Sequence, residues 1–254
     1  MGIETAEFWT ALLKIIGVNI ILSGDNAVVI ALAARSLHGK QQKQAIVWGS
    51  GAAIVLRIIL TLFAAALLTL PYLKLVGSAL LLWIGVKLLI PEDGDEGVSA
   101  SDNMLQAIKT ILIADLVMSL DNVIAVAAAA GGHWVLMIIG LAISIPLVIF
   151  GATLLLKLME RWPIIITIGA GLLGFVAGEM AWEDGAIKAF TSPYPEATKY
   201  VVAAIGAVIV VALGRILGRR ELEDAAEEQV QHLEEGVHGG SHAPKASAPN
   251  DSAR

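Results

Sequence analysis

Long apolar runs, interrupted by short polar segments, dominate the chain from Phe8 to Leu217. The runs are continuous, and each approaches the ~20 residues that a helix needs to cross a bilayer. Membrane β-strands would alternate apolar and polar positions, so the pattern predicts α-helices. We predict seven transmembrane helices, with the bounds Phe8–Ala34, Ile46–Leu70, Leu73–Ile90, Ile108–Ala130, Val135–Leu158, Pro163–Ala181 and Tyr200–Leu217.

The composition supports an all-α polytopic membrane protein. The 254 residues are 57% hydrophobic and 16% charged, whereas soluble domains carry about 25% charged residues. No cysteine is present, which excludes disulfides and thiolate metal sites. The net charge of −6 comes largely from one loop and one tail, and no basic patch indicates nucleic acid. The acidic start of the chain lacks the basic region of a cleavable signal peptide, so we expect the first span to be retained.

A Ser-x-Asp-Asn motif occurs twice inside these apolar runs, and the copies stand 96 positions apart. The residues of the two motifs are Ser23-Gly24-Asp25-Asn26 and Ser119-Leu120-Asp121-Asn122. A carboxylate in the centre of a bilayer costs about 2.5–3.5 kcal/mol even on mild insertion scales. Two copies, each with an amide and a hydroxyl beside the carboxylate, indicate a shared cation site.

Helical periodicity places further polar residues beside each motif. Positions i, i+4 and i+7 share one face of a helix. The two polar stripes formed in this way are Asn19, Ser23 and Asn26 in span one and Asp115, Ser119 and Asn122 in span four. Asp25 and Asp121 flank these stripes. Gly24 either permits a close backbone approach or lets the helix open and present carbonyl groups.

The polar side chains of these stripes are hard oxygen ligands, which suit magnesium, calcium and manganese. The alternative is a polar clamp that holds two helices together, since interhelical Asn and Ser bonds contribute about 0.6 kcal/mol each. Because an aspartate is present in each copy, we favour an ion pathway.

The duplication extends beyond the motifs. Pro71-x5-Gly77 in span three matches Pro163-x5-Gly169 in span six, 92 positions later, and this register places Lys87 opposite Glu179. Because each unit has an odd number of spans, the second unit would insert in the opposite orientation. Inverted repeats of this kind recur in transporters whose substrate site lies near the bilayer midplane. Chance similarity between apolar helices is the alternative. The glycine stripe of span six predicts close helix packing; its members are Gly169, Gly171, Gly174 and Gly178.

The repeat and the polar segments divide the chain into five parts. We predict a first repeat over 1–90, an acidic cytoplasmic loop over 91–107, and an inverted second repeat over 108–181. An outer loop and seventh helix follow over 182–220. We expect the cytoplasmic tail over 221–254 to begin as a charged helix and to end disordered. Ten basic residues flank the spans on one side against three on the other, which predicts an outer N-terminus and a cytoplasmic C-terminus.

Three further charged residues in the predicted spans are candidates for the ion pathway or for a counter-charge. Arg57 either compensates the acidic cluster when no metal is bound or bridges two helices. Lys87 fits a side chain that extends to the membrane surface, while Glu179 either lines an exit path or anchors a helix end.

With both motifs and the arginine of span two in place, residues 8–217 resemble the TerC family of bacterial integral membrane proteins. The resemblance implies a manganese exporter built from inverted three-helix repeats, with Asp25, Asn26, Asp121 and Asn122 as the motif residues. Asn19 stands where the second half has Asp115, so the two halves differ in charge.

Our hypothesis is that the protein is a multi-pass plasma-membrane exporter of divalent cations, with manganese as the favoured ion. Manganese would be a transported substrate and not a prosthetic group. Because no Gly-rich nucleotide loop is present, we expect coupling to proton exchange. An intramembrane aspartyl protease and a membrane anchor for a stress or tellurite-resistance complex are the alternatives. Membrane lipid and divalent metal ions are the expected partners, with a homo-oligomer or cytosolic stress-response proteins as further candidates; no nucleic-acid partner is expected.

Overall fold

The computed structural model of the protein describes residues 6–63, 70–90, 100–130 and 134–239, and every regular element within them is helical. The side chains of Asn19 and Asp121 lie outside this description. The helices are α1 (Ala6–Leu22), α2 (Gly24–Ala34), α3 (Gly39–Leu62), α4 (Leu73–Lys87), α5 (Ala100–Ala130), α6 (Trp134–Arg161), α7 (Ile164–Trp182), a 3-10 turn (Gly185–Ile187), α8 (Lys188–Thr191) and α9 (Thr198–Gly239).

Five of the described helices are long and apolar enough to cross a membrane, namely α3, α5, α6, α7 and α9. Large apolar side chains point away from the protein interior, among them Trp48, Phe150 and Val208, which are 68%, 69% and 66% exposed. Such a surface suits lipid and not water. The prediction of an all-helical, multi-span protein is therefore confirmed. α1 and α4 have 17 and 15 residues, and the count of seven spans stays a prediction.

The first predicted span is two helices, because the chain breaks at Ser23 between α1 and α2. Ser23 has φ −110° and ψ 0°, outside the helical region. A Cβ atom added to Gly24 would meet no described atom within 4 Å, so the described residues show no close backbone approach at this glycine. Of the two roles predicted for Gly24, the interrupted helix is the one observed. α5 has Leu120 at the matching position and runs through its motif without interruption.

The structure differs from one predicted boundary. α5 begins at Ala100, within the segment predicted as loop, and Asp102 in its first turn interacts favourably with the helix dipole. α9 continues to Gly239, so the tail begins as a charged helix. Its residues 221–235 are mainly Glu, Ala, Leu and Gln, which favour helix even in water. Residues 91–99 and 240–254 of the predicted loop and tail lie outside the described part.

The helices pack so that both motifs come to the centre of the molecule. α3 packs on α5, α1 and α2 pack on α6, and both α1 and α2 also contact α5. α4 packs on α7, and α9 packs on both α7 and α4. A Cβ on Gly174 would lie 2.4 Å from the carbonyl oxygen of Gly206, and one on Gly178 would lie 2.6 Å from the Cα of Ala203. The close packing predicted from the glycine stripe is confirmed, with α9 as the partner of Gly171, Gly174 and Gly178 and α2 as the partner of Gly169.

Candidate metal-binding site

α5 brings the polar stripe of the second motif to the centre of the protein. Asp115, Ser119 and Asn122 are 7%, 0% and 8% exposed. Their spacing of four and then three residues places them on one face of an uninterrupted helix. The Ser119 hydroxyl lies 3.2 Å from Asp115 Oδ2 and donates to it. The predicted stripe is therefore observed as one buried polar face.

The break between α1 and α2 brings the first motif to the same region. Ser23 and Asn26 are 4% and 3% exposed. Asp25 is half-buried, and its Oδ1 accepts the backbone N–H of Asn26 at 2.9 Å. Because Asp25 lies in the first turn of α2, its negative charge faces the positive end of that helix. The start of α2 therefore stabilises the carboxylate of the first motif.

Arg57 of α3 joins the two motifs. It is 3% exposed, and its guanidinium forms an ion pair with Asp115. Its Nε donates to Ser119 Oγ at 2.9 Å, and one terminal nitrogen donates to Ser23 Oγ at 3.4 Å. One arginine therefore holds side chains from the break at Ser23, from α3 and from α5 in a single network. Both roles predicted for Arg57, counter-charge and bridge, have a geometric basis.

A cavity of about 20 Å³ adjoins this network. This volume is sufficient for one particle the size of a water molecule. Its polar lining consists of Ser23, Asn26, Ser50, Arg57, Asp115 and Ser144. The site thus combines a carboxylate, an amide and three hydroxyl groups around a space of atomic size.

Ser50 and Ser144 were not among the predicted site residues. Both are 1% exposed. The Ser144 hydroxyl donates to the Gly140 carbonyl at 2.9 Å, whereas Ser50 Oγ makes no hydrogen bond to any described atom. Two signals in the sequence point to them. Ser50 precedes Arg57 by seven residues and so shares its helix face, and the two serines stand 94 positions apart, within the range of the repeat register.

The other predicted residues fall into two groups. Lys87 and Glu179 lie near the ends of α4 and α7, outside the cluster. Lys87 Nζ is 5.7 Å from the centroid of the Trp83 ring, and Glu179 Oε1 is 3.7 Å from Lys199 Nζ. Asn19 and Asp121 belong to α1 and α5, but their side chains lie outside the described part. Among the described side chains, no three carboxylates or imidazoles meet to form a metal site.

A second polar region lies where α4 begins and α7 ends. Asp184 is 2% exposed, and its carboxylate accepts the backbone N–H groups of Ala186 at 2.7 Å and Leu75 at 3.1 Å. Burial alone would raise the pKa of Asp184, but these donors hold the pKa below its ordinary value. This connection therefore contributes stability above the ordinary pKa of an aspartate, and the contribution is lost as the pH falls through the lower, folded value.

Glu183 extends this region towards α9. Its carboxylate lies 3.1 Å from Lys199 Nζ and 3.4 Å from Lys74 Nζ. Partial burial opposes ionisation, yet the hydrogen bond from Lys199 and the charge of Lys74 lower the pKa of Glu183 overall. A cavity of about 430 Å³ lies beside Glu183 and reaches Leu120 in the second motif.

Comparisons with known proteins agree with this architecture. The family model described as the integral membrane protein TerC family matches residues 4–222. The uncharacterized membrane protein YjbE of Bacillus subtilis (strain 168) is 43% identical over 188 residues, which cover 74% of this chain and 86% of that protein. YceF of the same organism, also an uncharacterized membrane protein, is 25% identical over 75% of this chain and 77% of its own length. No solved structure shows a significant match.

Proposed function

Because the chain belongs to the TerC family of integral membrane proteins, we propose that it is a secondary transporter that exports divalent metal cations, with manganese as the preferred substrate. The observation that carries this proposal is the buried polar cluster, in which both motifs contribute oxygen ligands beside a cavity of about 20 Å³.

The ligand chemistry favours a hard divalent cation. Asp115 and Asn26 line the cavity, and Asp25 lies within electrostatic range of Asp115. We propose Asp121, Asn122 and Asn19 as further ligands. The break at Ser23 adds carbonyl groups at the end of α1, since the last turn of a helix leaves its carbonyls without intrahelical partners. Such oxygen sites bind manganese, magnesium and calcium.

The helix contacts support two inverted repeats of three spans. In an inverted repeat, span one corresponds to span four, span two to span five and span three to span six. The contact of α1 in span one with α6 in span five then corresponds to the contact of α5 in span four with α3 in span two. Both contacts are observed. The matched glycines follow the same exchange. A Cβ on Gly77 would lie 2.8 Å from Val117 of α5, and one on Gly169 would lie 2.8 Å from Val28 of α2. Each third span therefore packs on the motif-bearing span of the other half.

We propose that the ion crosses by alternating access and leaves through the cavity beside Glu183, because this cavity reaches the second motif at Leu120. The export direction follows the family resemblance, and an outer N-terminus follows the basic residues of the loops. Carboxylates that release a metal can take up protons, so we propose proton exchange as the energy source. Equal transport with and without a proton gradient, at fixed membrane potential, would contradict this coupling.

The two alternatives predict different behaviour. An aspartyl protease needs a pair of carboxyl groups that share a proton, whereas Asp115 is ion-paired to Arg57. A membrane anchor would lose its function when residues after Arg220 are deleted and would keep it in Asp115→Asn. The transporter proposal requires the reverse.

The test is manganese accumulation in cells that lack their own exporter. We expect the native chain to lower cell manganese, and Asp25→Asn and Asp115→Asn to abolish this effect at equal expression, because each removes a charge from the cluster. Asp102→Asn is the matched control, since it makes the same change at an exposed position of α5.

Accumulation that stays low in both cluster variants would show that the aspartates are structural. If the native chain leaves manganese unchanged, the same assay with calcium, magnesium and zinc decides whether another ion is the substrate.

A further inference from the structure

We propose that Arg57 is a built-in cation that competes with the transported metal for Asp115 and returns to this carboxylate each time the metal leaves. The inference rests on the proposed function, because it assigns a role within the same site. It concerns how the transporter releases its substrate and how its unloaded form avoids a bare buried charge.

The geometry places Arg57 where a metal ion would bind. Its guanidinium pairs with Asp115 and donates to the hydroxyl groups of Ser119 and Ser23. Hydroxyl and carboxylate oxygens are also the groups that bind a hard metal ion. A guanidinium has donors only and cannot itself ligate a metal. The arginine and a metal ion on Asp115 therefore seek the same oxygen atoms and repel each other.

The repeat supports this interpretation independently. The halves differ in charge at Asn19 and Asp115, which occupy matching positions. The two halves differ in charge again at Arg57. The matching positions of the second half lie 92 to 96 residues later, at 149–153, and none of these residues is charged. Asp115 and Arg57, the two charged residues without a charged counterpart in the other half, form the ion pair. The pair is thus an asymmetric addition to an otherwise duplicated site.

The energetics explain why a transporter would need such a pair. Asp115 and Arg57 have side chains only 8% and 4% exposed. Breaking a buried pair by removing one partner leaves an uncompensated charge in the protein interior and is strongly destabilising. If neither a metal nor Arg57 were present, Asp115 would be such an uncompensated charge inside the unloaded transporter. Arg57 neutralises it, and the same attraction weakens metal binding enough for release.

The test is manganese binding to the purified full chain in lipid nanodiscs, measured for the native protein, Arg57→Gln and Arg57→Lys. We expect Arg57→Gln to bind manganese at least about tenfold more tightly, because a positive charge beside the ion is removed. It should also export manganese more slowly, since release is slower. Arg57→Lys should stay close to the native affinity. Arg219→Gln makes the same change at an exposed position of α9 and is the control.

If Arg57→Gln is unstable, its melting temperature measured with and without manganese provides a second test of the proposal. We expect a lower melting temperature for this variant without metal and a larger rise with metal than in the native protein. Adding Asp115→Asn should recover the stability without metal and remove the gain in affinity, because both charges are then absent.

An affinity equal to or weaker than the native value in folded Arg57→Gln would overturn the inference and leave Arg57 as a structural bridge. If the native protein and Arg57→Gln both fold and neither binds manganese, magnesium, calcium or zinc, the proposed function fails with it. Native binding without any effect of Arg57→Gln overturns the inference alone.

Discussion

At the scale of single residues, the site is defined by buried polar atoms and by how each is satisfied. Asp115, Ser119 and Ser23 are held by Arg57. Ser50 differs, because its hydroxyl is 1% exposed and makes no hydrogen bond to a described atom, although it lines the cavity. A buried polar group without a partner costs about 1–3 kcal/mol. A bound cation would provide that partner.

We therefore expect Ser50→Ala to have two opposite effects. Without metal, the protein should be more stable by about 1 kcal/mol, because an unsatisfied hydroxyl is removed. Manganese binding should weaken several-fold, because a ligand is lost. Ser192→Ala is the control, since it makes the same change at an exposed position outside the site. Thermal unfolding measures the first effect, and manganese titration measures the second. An unchanged affinity for manganese in Ser50→Ala would show that Ser50 is not a ligand.

At the scale of elements, the two motif-bearing spans are built differently. The first is divided into α1 and α2 at Ser23, whereas α5 is continuous. Gly24 against Leu120 is the local difference, because glycine favours helix less than leucine does. The break provides the ends of two half-helices at the site, and discontinuous helices bind ions in this way in secondary transporters.

If the break is needed for transport, Gly24→Ala should separate folding from function. Alanine favours helix over glycine by about 1 kcal/mol, and its Cβ would meet nothing within 4 Å. We expect an equally or more stable protein with several-fold slower manganese export. Gly17→Ala is the matched control, since its Cβ would also meet nothing and it lies inside α1. Normal export by a stable Gly24→Ala would show that the break is dispensable.

At the scale of the whole molecule, the apolar surface is the one expected of a protein in a membrane. Apolar side chains face outward, and the polar atoms gather between α3, α5 and the break at Ser23. The turn between α2 and α3 and the loop between α8 and α9 belong to opposite sides of the proposed topology.

The chain contains no cysteine, so single cysteines test this topology directly. We expect Tyr194→Cys, in the loop before α9, to react with a membrane-impermeant maleimide in intact cells. His38→Cys, before α3, should react only after permeabilisation. Both positions are exposed, and the native chain is the unlabelled control. Labelling of both in intact cells would contradict the odd number of spans between them, and the reversed pattern would contradict the orientation.

The sequence by itself determined the helical class, the membrane setting and the polar stripes, because hydrophobicity and helical period are local properties of the chain. It also indicated the pairing of the halves and the close packing of the glycine stripe. Tertiary structure decided that Arg57 pairs with Asp115, that Ser50 and Ser144 line the site, and that span one breaks at Ser23. These features depend on which helices meet and at what depth. The contact of Arg57 with Asp115 joins residues 58 positions apart, and helical periodicity says nothing about such a pairing.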